Sequence, residues 1–147
     1  MPNTVVSQEA AWKTIQSHLA ATGWCTKVLI GEPKAPPDPI TACILGQDGF
    51  IDENTLSSPR EVHQVLLRLY APFLEEPESQ VELDLEQIRA NIFADIMGDF
   101  ELGGTIAYIL PTRCLWRWGH LQVANAMYRV LDITVSYRVD DKATFTA

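Results

Sequence analysis

The stretch ESQVELDLEQIRANIFADIMGDFELGG, residues 78 to 104, decides how the chain is read. Val81, Leu85, Ile88, Ile92 and Ile96 recur at steps of four, three, four and four, with Phe93 and Met97 beside them. That spacing puts the apolar residues on one face of a helix. Glu78, Glu82, Asp84 and Glu86 occupy the first turns, where carboxylates interact favourably with the positive end of the helix dipole. Gly98 stands where a left-handed cap residue is expected. About 20 helical residues span roughly 30 Å, so the apolar face needs a sheet or other helices to cover it.

The 147 residues fit one domain, and a hydrophobic fraction of 47% is that of an ordinary globular chain. No apolar run approaches the roughly 18 residues of a membrane helix. Met1 to Val6 lacks the basic and apolar regions of a signal peptide, so a protein that stays in the cytoplasm where it is made is expected. Cys25, Cys43 and Cys114 are odd in number and far apart, which argues for reduced, buried thiols over a disulfide framework or zinc site. The net charge of -8 is localised. Residues 72 to 101 carry nine acids against the single base Arg89, while the other ten acids are balanced by ten bases. Such a chain is poorly suited to gripping nucleic acid, whose phosphates are held by Lys and Arg. The acidic element reads either as a solvated helix face or as a surface that repels DNA or meets a basic partner.

From the N-terminus, Ser7 is placed to cap a helix running to about Thr22, with the stripe Ala11, Trp12, Ile15 and Leu19 and the stop Gly23. Trp24 to Gly31 reads as a short strand. Glu32 to Pro39, with Pro33, Pro36, Pro37 and Pro39, is a stiff extended loop suited to a surface connection or a contact with a neighbouring subunit. Ile40 to Leu45 reads as a strand, followed by a turn at Gln47-Asp48-Gly49 and by Phe50-Ile51, so that a hairpin is possible here. Ser57-Ser58-Pro59 marks a break. Val62 to Tyr70 alternates as a strand, with a helix as the rival reading, and Ala71 to Pro77 forms a proline-bounded loop.

Beyond the helix, Gly103-Gly104 allows a sharp reversal into a strand from Thr105 to Leu110 closed by Pro111. Leu115 to Gly119 is a strand with Trp116 and Trp118 on one face and Arg117 on the other. It reads as an ordinary hairpin or interface patch in preference to a base-stacking platform, because no basic surround accompanies it. From Met127 to Val139, Leu131, Ile133, Val135, Tyr137 and Val139 alternate with Asp132, Thr134, Ser136 and Arg138, one face packed and one wet. Residues 140 to 147 read as a fraying tail or as an extended arm that docks on a neighbour through Phe145. The sum is an α+β domain over residues 1 to 147: a mostly antiparallel sheet packed on one face by the N-terminal helix and the long amphipathic helix.

Motifs for chemistry are weak. His18, His63 and His120 show no HxH or HExxH spacing, and Gly103-Gly104 lacks the Lys of a phosphate loop. Glu82, Asp84 and Glu86 lack the glycine and terminal Glu of a calcium loop. No GxSxG elbow is present, and nothing local pairs a Cys nucleophile with a His. Neither a catalytic residue nor a metal or cofactor is assigned from the sequence, and catalysis is the weaker reading.

Several segments together resemble a known family. They are the Pro-rich loop after the first strand, RLYAP at Arg68 to Pro72, the acidic helix, D-F-x-L-G-G-T from Asp99 to Thr105, and the closing DITVSYRVDDKATFTA from Asp132 to Ala147. Their order and texture resemble the tail terminator proteins of long-tailed bacteriophages, also described as minor tail or head-to-tail joining proteins. The resemblance implies a virion protein without a cofactor that assembles in the host cytoplasm as a homohexameric ring on the last ring of tail tube protein. It also implies that the ring stops tube polymerisation and joins the tube to the head connector, with DNA passing through the channel unbound. A connector-side neck adaptor or stopper is the near alternative, and a small cytoplasmic ligand-binding domain or enzyme is the alternative from another class. The residues expected at ring or partner contacts are Pro36, Pro37, Trp116, Arg117, Trp118 and Phe145.

Overall fold

The computed structural model of the chain describes residues 8–34, 37, 40–55, 58–72 and 78–140. Over these residues the fold is α+β, with two helices on a curled mixed sheet. In order the elements are α1 (Glu9–Ala21), β1 (Lys27–Ile30), β2 (Thr41–Thr55), β3 (Ser58–Pro72), α2 (Glu78–Gly98), β4 (Tyr108–Ile109), a single 3-10 turn (Pro111–Arg113), β5 (Leu115–Val123) and β6 (Ala126–Asp140). The sheet runs β1-β2-β3-β6-β4, with β5 also paired to β6. β1 lies parallel to β2 and every other pairing is antiparallel. Because β3 already flanks β6 along its length, β4 and β5 follow one another along its other side.

Alternation in β3 and β6 sets the layers. Val65, Leu67, Leu69 and Ala71 point to the same side as Leu131, Ile133, Val135, Tyr137 and Val139, and all are buried. They pack against Ala11, Ile15 and Leu19 of α1 and Val81, Leu85, Ile88, Ile92 and Ile96 of α2. Both helices therefore cover one face, as the periodicities require. Burying each of these larger aliphatic side chains contributes about 1.5–3 kcal/mol. The contrast between the two sides of α2 is weaker than the stripe suggests, since Leu83 on its outer side is 63% exposed.

Five expectations are corrected. The reversal expected at Gln47-Asp48-Gly49 does not occur: β2 runs straight through, absorbing one extra residue as a bulge between Gly46 and Gly49. Those glycines permit close approach. A Cβ on Gly46 would lie 3.1 Å from the Trp12 ring, and one on Gly49 would lie 3.0 Å from the Val62 carbonyl oxygen. The break expected at 57–59 is narrower, because Thr55 pairs with Ser58 and only residues 56 and 57 separate β2 from β3. β3 likewise extends past Tyr70 to Pro72, its pairing with both β2 and β6 excluding the helical alternative. Gly98 stays in the last helical turn, and the left-handed conformations fall later, at Leu102, Gly103 and Gly104. That reversal uses up residues that read as strand, so the segment from Thr105 to Leu110 contributes only the two-residue β4. Ser7, proposed as a cap, lies outside the described residues; Gln8 holds the cap position without a side-chain bond that caps the helix, and Gly23 closes the helix at φ 71°.

His18 ties the two helices together. Its Nδ1 lies 2.7 Å from the Asp95 carboxylate and its Nε2 2.6 Å from that of Asp99, two acids one turn apart on α2. Asp99 also accepts the Gly103 backbone N–H at 2.9 Å, linking α2 to the reversal that follows. The Gly103 N–H, and after it the His18 contact, hold the Asp99 carboxyl below its ordinary value of 3.8. A depressed carboxyl pKa adds stability above the unfolded value that is lost as pH falls through the folded one. In urea titrations at a series of pH values, the stability advantage of the wild type over Asp99→Asn should therefore be full near pH 6 and shrink below about pH 4.

The β5–β6 connection offers a second test. Val123 pairs with Ala126, leaving Ala124 (φ 48°) and Asn125 (φ 67°) as a two-residue turn with both residues left-handed. Ala in that conformation is strained where Gly is not. Ala124→Gly is expected to raise the urea midpoint, with a gain of up to about 1 kcal/mol after the entropic cost of the glycine.

Candidate assembly surfaces

The β5 register places Trp116 opposite Ile133 and Trp118 opposite Leu131, so both indoles face the helix layer and Arg117 faces away. There they meet two arginines. The Arg89 guanidinium lies 4.1 Å from the centroid of the Trp116 indole and 5.9 Å from that of Phe93, and it is bound by the Glu86 carboxylate. That ion pair lowers the Glu86 carboxyl pKa and raises that of Arg89. Arg129 lies 4.9 Å from the Trp118 ring centroid, donates to Glu82 at 2.7 Å and to the Gly119 carbonyl at 3.0 Å. The two tryptophans expected at a partner contact thus clamp α2 to the edge strand β5, although Trp116 remains 47% exposed.

On the side of the sheet away from the helices, Cys43, Arg68, Asp132 and Arg117 form one row across β2, β3, β6 and β5. Arg68 grips Asp132 through Nε at 2.8 Å and Nη2 at 3.1 Å, a bidentate pair that raises the arginine pKa. Below this row the side is closed: Cys43, Tyr70, Tyr128 and Val130 are buried together, with the Tyr70 and Tyr128 rings edge to face at 6.0 Å. Burial raises the Cys43 thiol to about 11 and also raises Tyr70, with Glu32 adding to both and Arg68 opposing both. Glu32 therefore lies near this end, and Pro37 is buried.

Above the row the sheet is open. Leu45, Leu66, Thr134 and Leu115 form the next line of neighbours, and Leu115 is exposed. Two buried hydroxyls here are satisfied internally, Thr134 donating to the Gln47 side chain at 3.0 Å and Ser136 to the Arg113 carbonyl at 2.8 Å. Arg113 itself lies over the exposed Phe50 ring at 5.3 Å. No α-helix among the described residues packs on this side. Pro36 and Phe145, also expected at contacts, lie outside the described residues, so the candidate positions come together only as Trp116, Arg117 and Trp118. Phe50, Arg113 and Leu115 were missed. Phe50 and Leu115 are single apolar residues whose outward direction depends on a bulge and on cross-strand register, neither of which periodicity reveals.

Two hollows are formed by described residues. A cleft of about 480 Å³ lies beside α1 and β1, lined by Gln8, Glu9, Trp12, Lys13 and Ile30. A shallower one of about 200 Å³ lies along the hairpin at Gly49, Phe50, Ile51, Glu61, Val62 and His63. Among the described residues no group of three or more His, Cys, Asp and Glu side chains is arranged to hold a metal ion. Nor is any described helix long and apolar enough to cross a membrane. Comparison with known proteins finds no family model and no characterised protein that the sequence matches.

If Trp116 serves mainly to hold α2, Trp116→Ala should destabilise the isolated chain. About 1–2 kcal/mol is expected, from lost apolar contact and the arginine–indole attraction. Thermal unfolding at low protein concentration reads this directly, and an unchanged melting temperature would assign the residue to partner contact alone.

Proposed function

We propose that the protein is a structural subunit of a long-tailed bacteriophage, a tail terminator that closes into a homohexameric ring on the last tail-tube ring, stops tube growth and joins the tube to the head connector. The carrying observation is a sheet that, among the described residues, is covered by α-helices on one side only, and whose other side exposes Phe50 and Leu115 beside Arg113 and Arg117. A sheet layer normally buries its apolar positions against another layer, and an incomplete one is completed by a partner. The order of RLYAP, the acidic helix, D-F-x-L-G-G-T and the closing segment supports the same reading.

A head-to-tail contact that closes leaves the ring without a growing end, which is what termination requires. The acidic excess on α2 suits a channel component or rim past which DNA moves without sticking, because carboxylates release no counterions from phosphate. In this role the subunit is a virion protein and works without catalysis or cofactor. The cleft beside α1 favours a second reading, a small ligand-binding domain or enzyme, which implies a monomer or dimer.

Native mass spectrometry over a concentration series, with negative-stain images of any oligomer and of tail tubes mixed with the protein, separates the two. A closed six-subunit ring, free or on tube ends, is the expected result. Monomers at every concentration that also leave tube ends bare would remove the terminator reading.

A further inference from the structure

We infer that the open side of the sheet docks the outer face of α2 from a second copy of this chain. The inference deepens the assembly reading and rests on it. The charge of the fold is divided between its two sides. Arg68, Arg113 and Arg117 lie on the open side, where Asp132 is already held by Arg68. On α2, Glu82 is held by Arg129, Glu86 by Arg89 and Asp95 by His18, which leaves the exposed Asp84, bonded only by the Gln80 amide, as the acid with no base beside it among those whose side chains are described. Arg113 and Arg117 on the sheet side and Asp84 on the outer side of α2 thus face away from one another within one molecule and can meet only between molecules.

The apolar residues match in the same way. Leu83, Gln87, Ala90 and Ala94 recur at helical spacing along the outer side of α2 and are exposed, opposite the buried stripe. Asp84 borders this second stripe on one side and Glu86 on the other. A helix face that is small and weakly apolar at its centre and acidic at its margins fits a sheet surface with Leu45, Leu66 and Leu115 at its centre and arginines at its margin. The contact joins unlike surfaces, so it is heterologous and passes from copy to copy.

Sedimentation of the full chain tests this with charge reversal. Arg117→Glu alone and Asp84→Lys alone should each weaken self-association by at least about tenfold. An equimolar mixture of the two should regain it, because every contact between unlike copies then pairs opposite charges. Wild-type association should also weaken between about 0.1 M and about 1 M salt, where the screening length falls from about 10 Å to about 3 Å. Leu83→Ser, at a 63% exposed position that the fold does not need, should weaken association without altering the melting temperature. Wild type that associates while both reversals and Leu83→Ser leave it unchanged overturns this contact and leaves the assembly reading standing. Wild type that never associates, alone or on tubes, overturns both.

Discussion

The pairing of β3 with β6 is the constraint on which the rest of the molecule depends. It runs from Arg60 opposite Asp140 to Pro72 opposite Tyr128 without a register shift. Neighbouring strands share faces, so this one register decides which residues meet the helices and which meet Arg68 and Asp132. A slip of a single residue by either strand would carry its charged side chain, Arg68 or Asp132, into the apolar layer and turn its Leu67 and Leu69, or its Ile133 and Val135, outward. The desolvation of an unpaired buried charge costs far more than any one contact in the core returns. The outer strands are then fitted to a frame already fixed, β2 with two register shifts and β5 by a two-residue turn.

Periodicity found the parts of the fold that rest on repetition. The α1 stripe, the α2 stripe, the alternation of β3 and β6, and the opposite facing of Trp116 and Arg117 were all legible, since each follows from a period of 3.6 or 2. What escaped depends on single positions. Gln47-Asp48-Gly49 has the composition of a turn, yet Gly49 is needed there because the Val62 carbonyl presses on the backbone, as Trp12 does at Gly46 just before it. The true β5–β6 turn is Ala124-Asn125, a pair with a weak turn signature that is held left-handed by the strands on either side. The parallel β1 was equally hidden, because a four-residue strand carries no mark of its direction.

The candidate site was less legible than the fold for a related reason. Exposed aromatic residues in a sequence suggest contact with something, but not whether that something lies in the same chain. Arg89 and Arg129, from α2 and β6, occupy the Trp116 and Trp118 faces. The surface left open is instead marked by Arg113, Arg117, Phe50 and Leu115, residues scattered over a turn and two strands. Only the register brings them together.

The three cysteines have a practical side. Burial raises the thiols of Cys25 and Cys43 to about 11 and raises that of Cys114 as well, so little thiolate exists at neutral pH. Alkylating dyes react through the thiolate. A cysteine introduced at an exposed site would therefore take up a maleimide fluorophore ahead of the native three, and site-specific labelling can proceed on the unmodified background of this chain.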